Sequence, residues 1–113
     1  MEDIIADARA LGNKIAAHPR TMSFVAAARA VSESKDAQAI LKAYQEQVTR
    51  LQAAEQAGKP IEVSDKHALA ESEARVAGND LLKKMMKCQA DYLEMMKRIN
   101  DAIDEASAAS QSK

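Results

Sequence analysis

The side chains most able to do chemistry in this sequence are sulfur-containing residues near the carboxyl end. Thioethers beside a thiol are ligands that suit copper(I), and the residues concerned are Met85, Met86, Cys88, Met95 and Met96. Their spacing is that of neighbouring faces of one helix, and methionine commonly fills irregular gaps at adaptable packing surfaces. We therefore interpret these residues as packing residues and predict no metal site.

Other constellations that support catalysis or cofactor binding are not found in the sequence. The histidines His18 and His67 lie far apart and lack HExxH or CxxC ligand spacing. There is no nucleophile paired with a base, no glycine-rich phosphate loop and no carboxylate pair with a reason for shifted pKa values. We therefore predict no catalytic, cofactor-binding or metal-ligating residues. The enzyme alternative is a small helical mutase that binds carboxylates with arginine and lysine.

Three lysines form a small basic cluster, namely Lys83, Lys84 and Lys87. They are candidate contacts for a partner, and an RNA-contacting protein that uses them is a further alternative. The formal net charge is −1 and no aromatic residue is interleaved with the lysines, whereas nucleic-acid binders carry a net basic surface or stripe. A solvated helix face is the simpler interpretation, and nucleic-acid binding is not expected.

The composition of the 113 residues predicts an all-α protein that forms one domain, residues 1–113. Alanine, the best helix former, occurs 24 times, whereas there are only three Gly, two Pro and no Trp. Apolar residues recur at helical spacing along most of the chain. We predict an elongated bundle of four to five helices with a long C-terminal helix, at about residues 2–17, 19–32, 36–57, 65–77 and 80–107, with a loop at 58–64 and a frayed tail at 108–113.

Several helix boundaries follow from local signals. Pro19 ends or kinks the first helix at His18, because proline disfavours helical geometry in the residue before it. Ser34 or Asp36 caps the third helix, and Ser64 or Asp65 the fourth. The tripeptide at 78–80 leaves two alternatives, a break between two helices or a kink within one long helix.

The C-terminal helix carries an apolar surface wider than one neighbour covers. One apolar stripe repeats in 4-3 spacing from Leu81 to Ala106, and a second stripe that includes Met86 and Leu93 lies beside it. We expect the chain to associate through helix packing, with a homodimer as the simplest form. The alternative is that both stripes are buried within one chain. The predicted interface residues are Leu81, Met85, Cys88, Tyr92, Met95, Met96, Ile99 and Ile103.

Cysteine usage and hydropathy predict the compartment. The single Cys88 forms no intrachain disulfide, which is typical of a reducing cytosol. No stretch approaches the ~20 apolar residues that span a bilayer, and Glu2 and Asp3 stand where a secretory signal is positively charged. A cytoplasmic location without membrane contact is predicted.

The order of these segments resembles the YlbF/YmcA family (also called YheA-like) of small bacterial helical proteins. The similarity is carried by IIADARALGNKIAA at residues 4–17, the proline-containing break, DAQAILKAYQEQVTRLQ at 36–52 and YLEMMKRINDAIDEA at 92–106. It covers roughly residues 4 to 106, and its motifs are hydrophobic patterns.

The resemblance implies an all-helical, oligomeric, non-catalytic protein that regulates an unidentified protein partner. Some relatives belong to complexes that influence an RNA-degrading endonuclease and thereby competence, sporulation and biofilm formation. Certain family complexes hold iron–sulfur clusters through cysteines. This chain has only Cys88, so a cluster that needs about four thiolates does not form within one subunit, and no cofactor is predicted.

Overall fold

The structure, a computed structural model, describes the backbone of residues 1–111 and the side chains of residues 1–109. The described residues form helices and contain no strand, which confirms the all-α prediction with its long C-terminal helix. At about 1.5 Å per residue the last helix is roughly 48 Å long. The helices are α1 (Glu2–Ala17), α2 (Pro19–Glu33), α3 (Lys35–Gln56), α4 (Val63–Gly78) and α5 (Asp80–Gln111).

A single residue, His18, separates α1 from α2, as the proline signal predicts. His18 has an extended backbone (φ −70°, ψ 141°) and its N–H donates to the carbonyl of Ile15 at the end of α1. Its Nδ1 accepts a hydrogen bond of 3.0 Å from the N–H of Arg20. One imidazole thus provides an acceptor for a free N–H group at the start of α2.

The caps of α3 and α4 differ from one another. Ser34 caps α3, because its Oγ accepts from the N–H of Ala37 at 3.1 Å. The predicted caps of α4 are wrong: the helix starts at Val63, and the cap position is held by Glu62 without a side-chain cap bond. Gly58, with φ +69°, turns the chain after α3 in the left-handed conformation that glycine adopts without steric cost.

Asn79 decides the alternative left open at 78–80, because two separate helices meet there. Its backbone is extended (φ −92°, ψ 119°) and its Oδ1 accepts from the N–H of Leu82 at 3.0 Å. The amide side chain therefore satisfies one free donor at the start of α5. Helix α5 extends to Gln111, into the segment predicted as a frayed tail, and residues 112 and 113 lie outside the described residues.

Replacing Asn79 by alanine is expected to lower the free energy of unfolding by about 1 kcal/mol, because the N–H of Leu82 loses its acceptor. Urea denaturation followed by circular dichroism measures the change. Asn79→Asp is the matched control, since aspartate caps helices equally well. Equal losses in both variants would contradict a capping role.

The chain forms two compact units. The central unit, residues 27–85, contains all six residues that are buried among residues 1–109. Helix α3 packs against α4 there, and Leu82 is completely buried. The core cluster consists of Val31, Ala37, Val76 and Leu82, with Ile40, Leu41, Tyr44 and Met85 packed against it.

The terminal unit comprises residues 1–26 and the residues from Met86 onward. It contains α1, the first half of α2 and most of α5. None of its residues up to 109 is buried. This unit carries most of the residues that sequence analysis assigned to an interface.

Candidate functional site

Side-chain contacts in the terminal unit show how α2 lies against α5. The rings of Phe24 and Tyr92 are 5.4 Å apart with an interplanar angle of 32°. Nη1 of Arg20 donates to the carbonyl oxygen of Asp91 at 3.1 Å and to Oε2 of Glu94 at 3.2 Å. These contacts place the first half of α2 beside the middle of α5.

A charged network lies beside these contacts. The carboxylate of Glu94 receives Arg20 at 3.2 Å and Arg98 at 3.7 Å. Both arginines border a shallow groove of about 440 Å³ whose lining also includes His18, Met95 and Ile99. The carboxylate pairs with both guanidinium groups, and the side chains remain partly exposed, so the arrangement favours positioning of α2 on α5 and presents no reactive group.

Sequence analysis assigns no contact to Arg20, whose guanidinium group reaches Glu94 of α5. The i, i+4 spacing of Glu94 and Arg98 is visible in the sequence and corresponds to an observed ion pair. The third member of the network is 74 residues away from Glu94. No local pattern in one sequence links residues at that separation.

The predicted interface residues differ in their surroundings. Met85 packs against the core of the central unit, and Tyr92 contacts Phe24 of its own chain. Ile103 is 50% exposed. The remaining predicted residues are Leu81, which is on the border of exposure, and Cys88, Met95, Met96 and Ile99, which are half-buried. Their role as an interface stays a prediction.

The most exposed apolar positions of α5 belong to the second stripe of the sequence pattern. Met86, Leu93 and Ile103 expose 52%, 55% and 50% of their surface, and Met96 between them is half-buried. We call Met86, Leu93, Met96 and Ile103 the exposed stripe. Every member lies in the terminal unit, at spacings of seven, three and seven residues that place them along one side of α5.

Helix α2 contributes apolar surface to the same unit. Met22 is 59% exposed and Val25 is 50% exposed. The sequence predicts Phe24, Val25, Ala28 and Val31 as inward residues of this helix; the prediction is wrong for Val25, whereas Val31 is buried. The residues of α2 that contact α5 are Arg20 and Phe24.

The lysines and Cys88 occupy exposed and half-buried positions of α5. The side chains of Lys83, Lys84 and Lys87 are exposed on the first turns of α5. Among the described residues, no three His, Cys, Asp or Glu side chains converge on a point that suits a metal ion. Cys88 is a half-buried free thiol.

Hydropathy of the described helices gives one further result. None of them combines the length and the apolar content that crossing a bilayer requires.

The fold and the span of the hydrophobic pattern agree with one protein family. A family profile described as "Control of competence regulator ComK, YlbF/YmcA" matches residues 4–106. The chain belongs to the YlbF/YmcA family. The match confirms the resemblance carried by the sequence segments and covers α1 to α4 completely and most of α5. A comparison with curated proteins gives no significant match.

The description of the YlbF/YmcA family names control of a regulator and no chemical reaction. This chain is accordingly a helical protein of a regulatory family. The exposed groups of α5 include the exposed stripe and the lysines of its first turns.

Proposed function

We propose that this YlbF/YmcA-family protein is a non-catalytic cytoplasmic regulator that acts through self-association and through contact with a protein partner. The supporting observation is the difference between the two units. The central unit buries six residues, whereas the terminal unit buries none of its residues up to 109. A helical unit without a buried core gains stability when another chain covers its apolar side chains.

The free energy gained by covering these apolar side chains is of the same order as the cost of association. Complete burial of a Val, Leu, Ile or Met side chain contributes about 1.5–3 kcal/mol. Met22, Val25, Met86, Leu93 and Ile103 are each at least half exposed, so covering them in two symmetric copies contributes on the order of 10 kcal/mol. Association costs roughly 4–15 kcal/mol in lost freedom. The gain lies within the range of the cost, so the gain from covering these side chains is large enough to offset the loss of freedom on association.

The proposed partner follows from the family. The resemblance links relatives to complexes that control RNA degradation, and the family description names control of a competence regulator. We propose that this chain influences transcript stability by binding a protein of such a complex. The direct RNA-contact alternative rests on the three exposed lysines of α5, which have no aromatic residue interleaved with them.

Self-association is tested by size-exclusion chromatography with multi-angle light scattering between about 1 and 100 µM. We expect a mass of twice 12.2 kDa at the upper concentrations. A monomeric mass throughout would contradict the proposal, since it would leave the exposed stripe in water.

The regulatory part is tested by transcript half-lives after a transcription block in the bacterium that carries the gene. We compare cells with the native chain, with the gene deleted and with Leu93→Lys. Longer half-lives in the deletion strain, reproduced in part by the substitution, support the proposal. Unchanged half-lives in the deletion strain would contradict it.

A further inference from the structure

The exposed stripe of α5 is symmetric about its own centre. Met86 and Ile103 are equally far from the peptide bond that joins residues 94 and 95, and so are Leu93 and Met96. Gln89 and Asn100, two exposed amides on the same side of the helix, are related by the same centre. When two copies of α5 lie antiparallel, each apolar residue meets an apolar residue and each amide meets an amide.

We propose, on the basis of the self-association proposed above, that the exposed stripe pairs with the stripe of a second copy of this chain. The two α5 helices run antiparallel around a two-fold axis between Glu94 and Met95. Met86 packs against Ile103 of the second copy, and Leu93 against Met96 of the second copy. The side chains of Gln89 and Asn100 of the second copy provide donors and acceptors for each other, which specifies the register as single polar residues do in coiled coils.

The charges of two α5 helices complement each other when the helices are antiparallel. Between residues 83 and 87 the charged residues are all lysines, whereas between 101 and 105 they are all acids. Within one helix both groups are misplaced, because the macrodipole favours acids at the start and bases at the end. Antiparallel pairing places the lysines of each copy beside the acids of the other, and it also opposes the two helix dipoles.

One charged pair is specified by position. Lys83 and Asp104 border the same edge of the stripe, since residues 83, 90, 97 and 104 recur every seven positions. Neither side chain forms an ion pair with any of the described side chains of its own chain. In an antiparallel pair related by a two-fold axis, the same edge of each helix lies on the same side of the interface. Lys83 therefore lies beside Asp104 of the second copy. Lys97 then meets Ala90 of the second copy, and like charges stay apart.

Disulfide formation between single-cysteine variants tests the direction of pairing. In a Cys88→Ser background, Met86→Cys chains are mixed with differently tagged Ile103→Cys chains under mild oxidation. We expect a mixed disulfide, because a disulfide requires Cα atoms within about 7 Å. In a parallel dimer the two positions are about 25 Å apart along the helix. Lys87→Cys mixed with Glu105→Cys is the matched control with thiols on the outer face, and no disulfide is expected there.

The outcomes separate this inference from the proposed function. If the chain dimerises but the mixed disulfide does not form, the antiparallel pairing is overturned and self-association stands. The same conclusion follows if disulfides form only between the same position of two chains. A monomer at all concentrations overturns both.

Charge reversal provides a second measurement that does not depend on cysteine chemistry. We expect Lys83→Glu or Asp104→Lys alone to raise the dimer Kd about tenfold, because each reversal introduces two like-charge contacts. The double variant is expected to return the Kd to within about threefold of the native value. Lys87→Glu and Glu105→Lys, on the outer face, are the matched controls. Failure of the double variant to recover the affinity would overturn the pairing of Lys83 with Asp104.

Discussion

Leu93→Lys is expected to dissociate the dimer and to leave the chain folded. Leu93 is 55% exposed in the single chain, so a lysine there remains hydrated in the monomer. In the dimer each copy loses the burial of a leucine and desolvates an ammonium group, which together cost about 4 kcal/mol. We therefore expect the Kd to rise roughly a thousandfold. Sedimentation velocity measures the change, and far-UV circular dichroism checks the helix content.

Val63→Lys is the matched control for this substitution. Val63 is an exposed apolar residue at the start of α4, 69% exposed and outside the terminal unit. The control introduces the same charge on an exposed helix and is expected to keep the native Kd. A Leu93→Lys variant that dimerises as tightly as the control would refute the assignment of the interface to the exposed stripe.

Leu82→Ala is expected to have the largest effect on stability. Leu82 is completely buried in the core cluster of the central unit, with Val31, Ala37 and Val76. Truncation of a buried leucine removes its transfer free energy and leaves a cavity, which costs about 2–5 kcal/mol. The measurement is the free energy of unfolding from urea denaturation at a fixed protein concentration.

Leu81→Ala provides the comparison for Leu82→Ala at the adjacent position. Leu81 is 36% exposed, and its truncation is expected to cost less than about 1 kcal/mol. Both variants change leucine to alanine in the same helix, so a difference between their losses of stability reports burial and not helix propensity. Similar losses at both positions would contradict a core that is centred on Leu82.

The predictability of the fold differs between strong and weak local signals. The break at His18 was predictable because proline restricts the backbone of the residue before it, and the caps at Ser34 and Asn79 because their side chains bond to the next turn. The start of α4 was not predictable in this way, since Glu62 holds the cap position without using its side chain.

The candidate site was only partly predictable. Helical periodicity identifies two apolar stripes on α5, but it does not specify which of them faces the protein's own α2. The contact between Phe24 and Tyr92 and the bridge from Arg20 to Glu94 assign the inward side. Met86 and Leu93 remain exposed, although the predicted interface residues omit both of them.

By itself, the sequence determined the helical class, the positions of most helices and the excess of apolar surface on the last helix. These properties follow from short-range rules, since propensity, capping and periodicity act within a few residues. Only the tertiary structure decided that residues 27–85 form a buried core while residues 1–26 and 86–109 form none. Burial depends on contacts between residues far apart in the chain, and a periodic pattern specifies a face of a helix without specifying its neighbour.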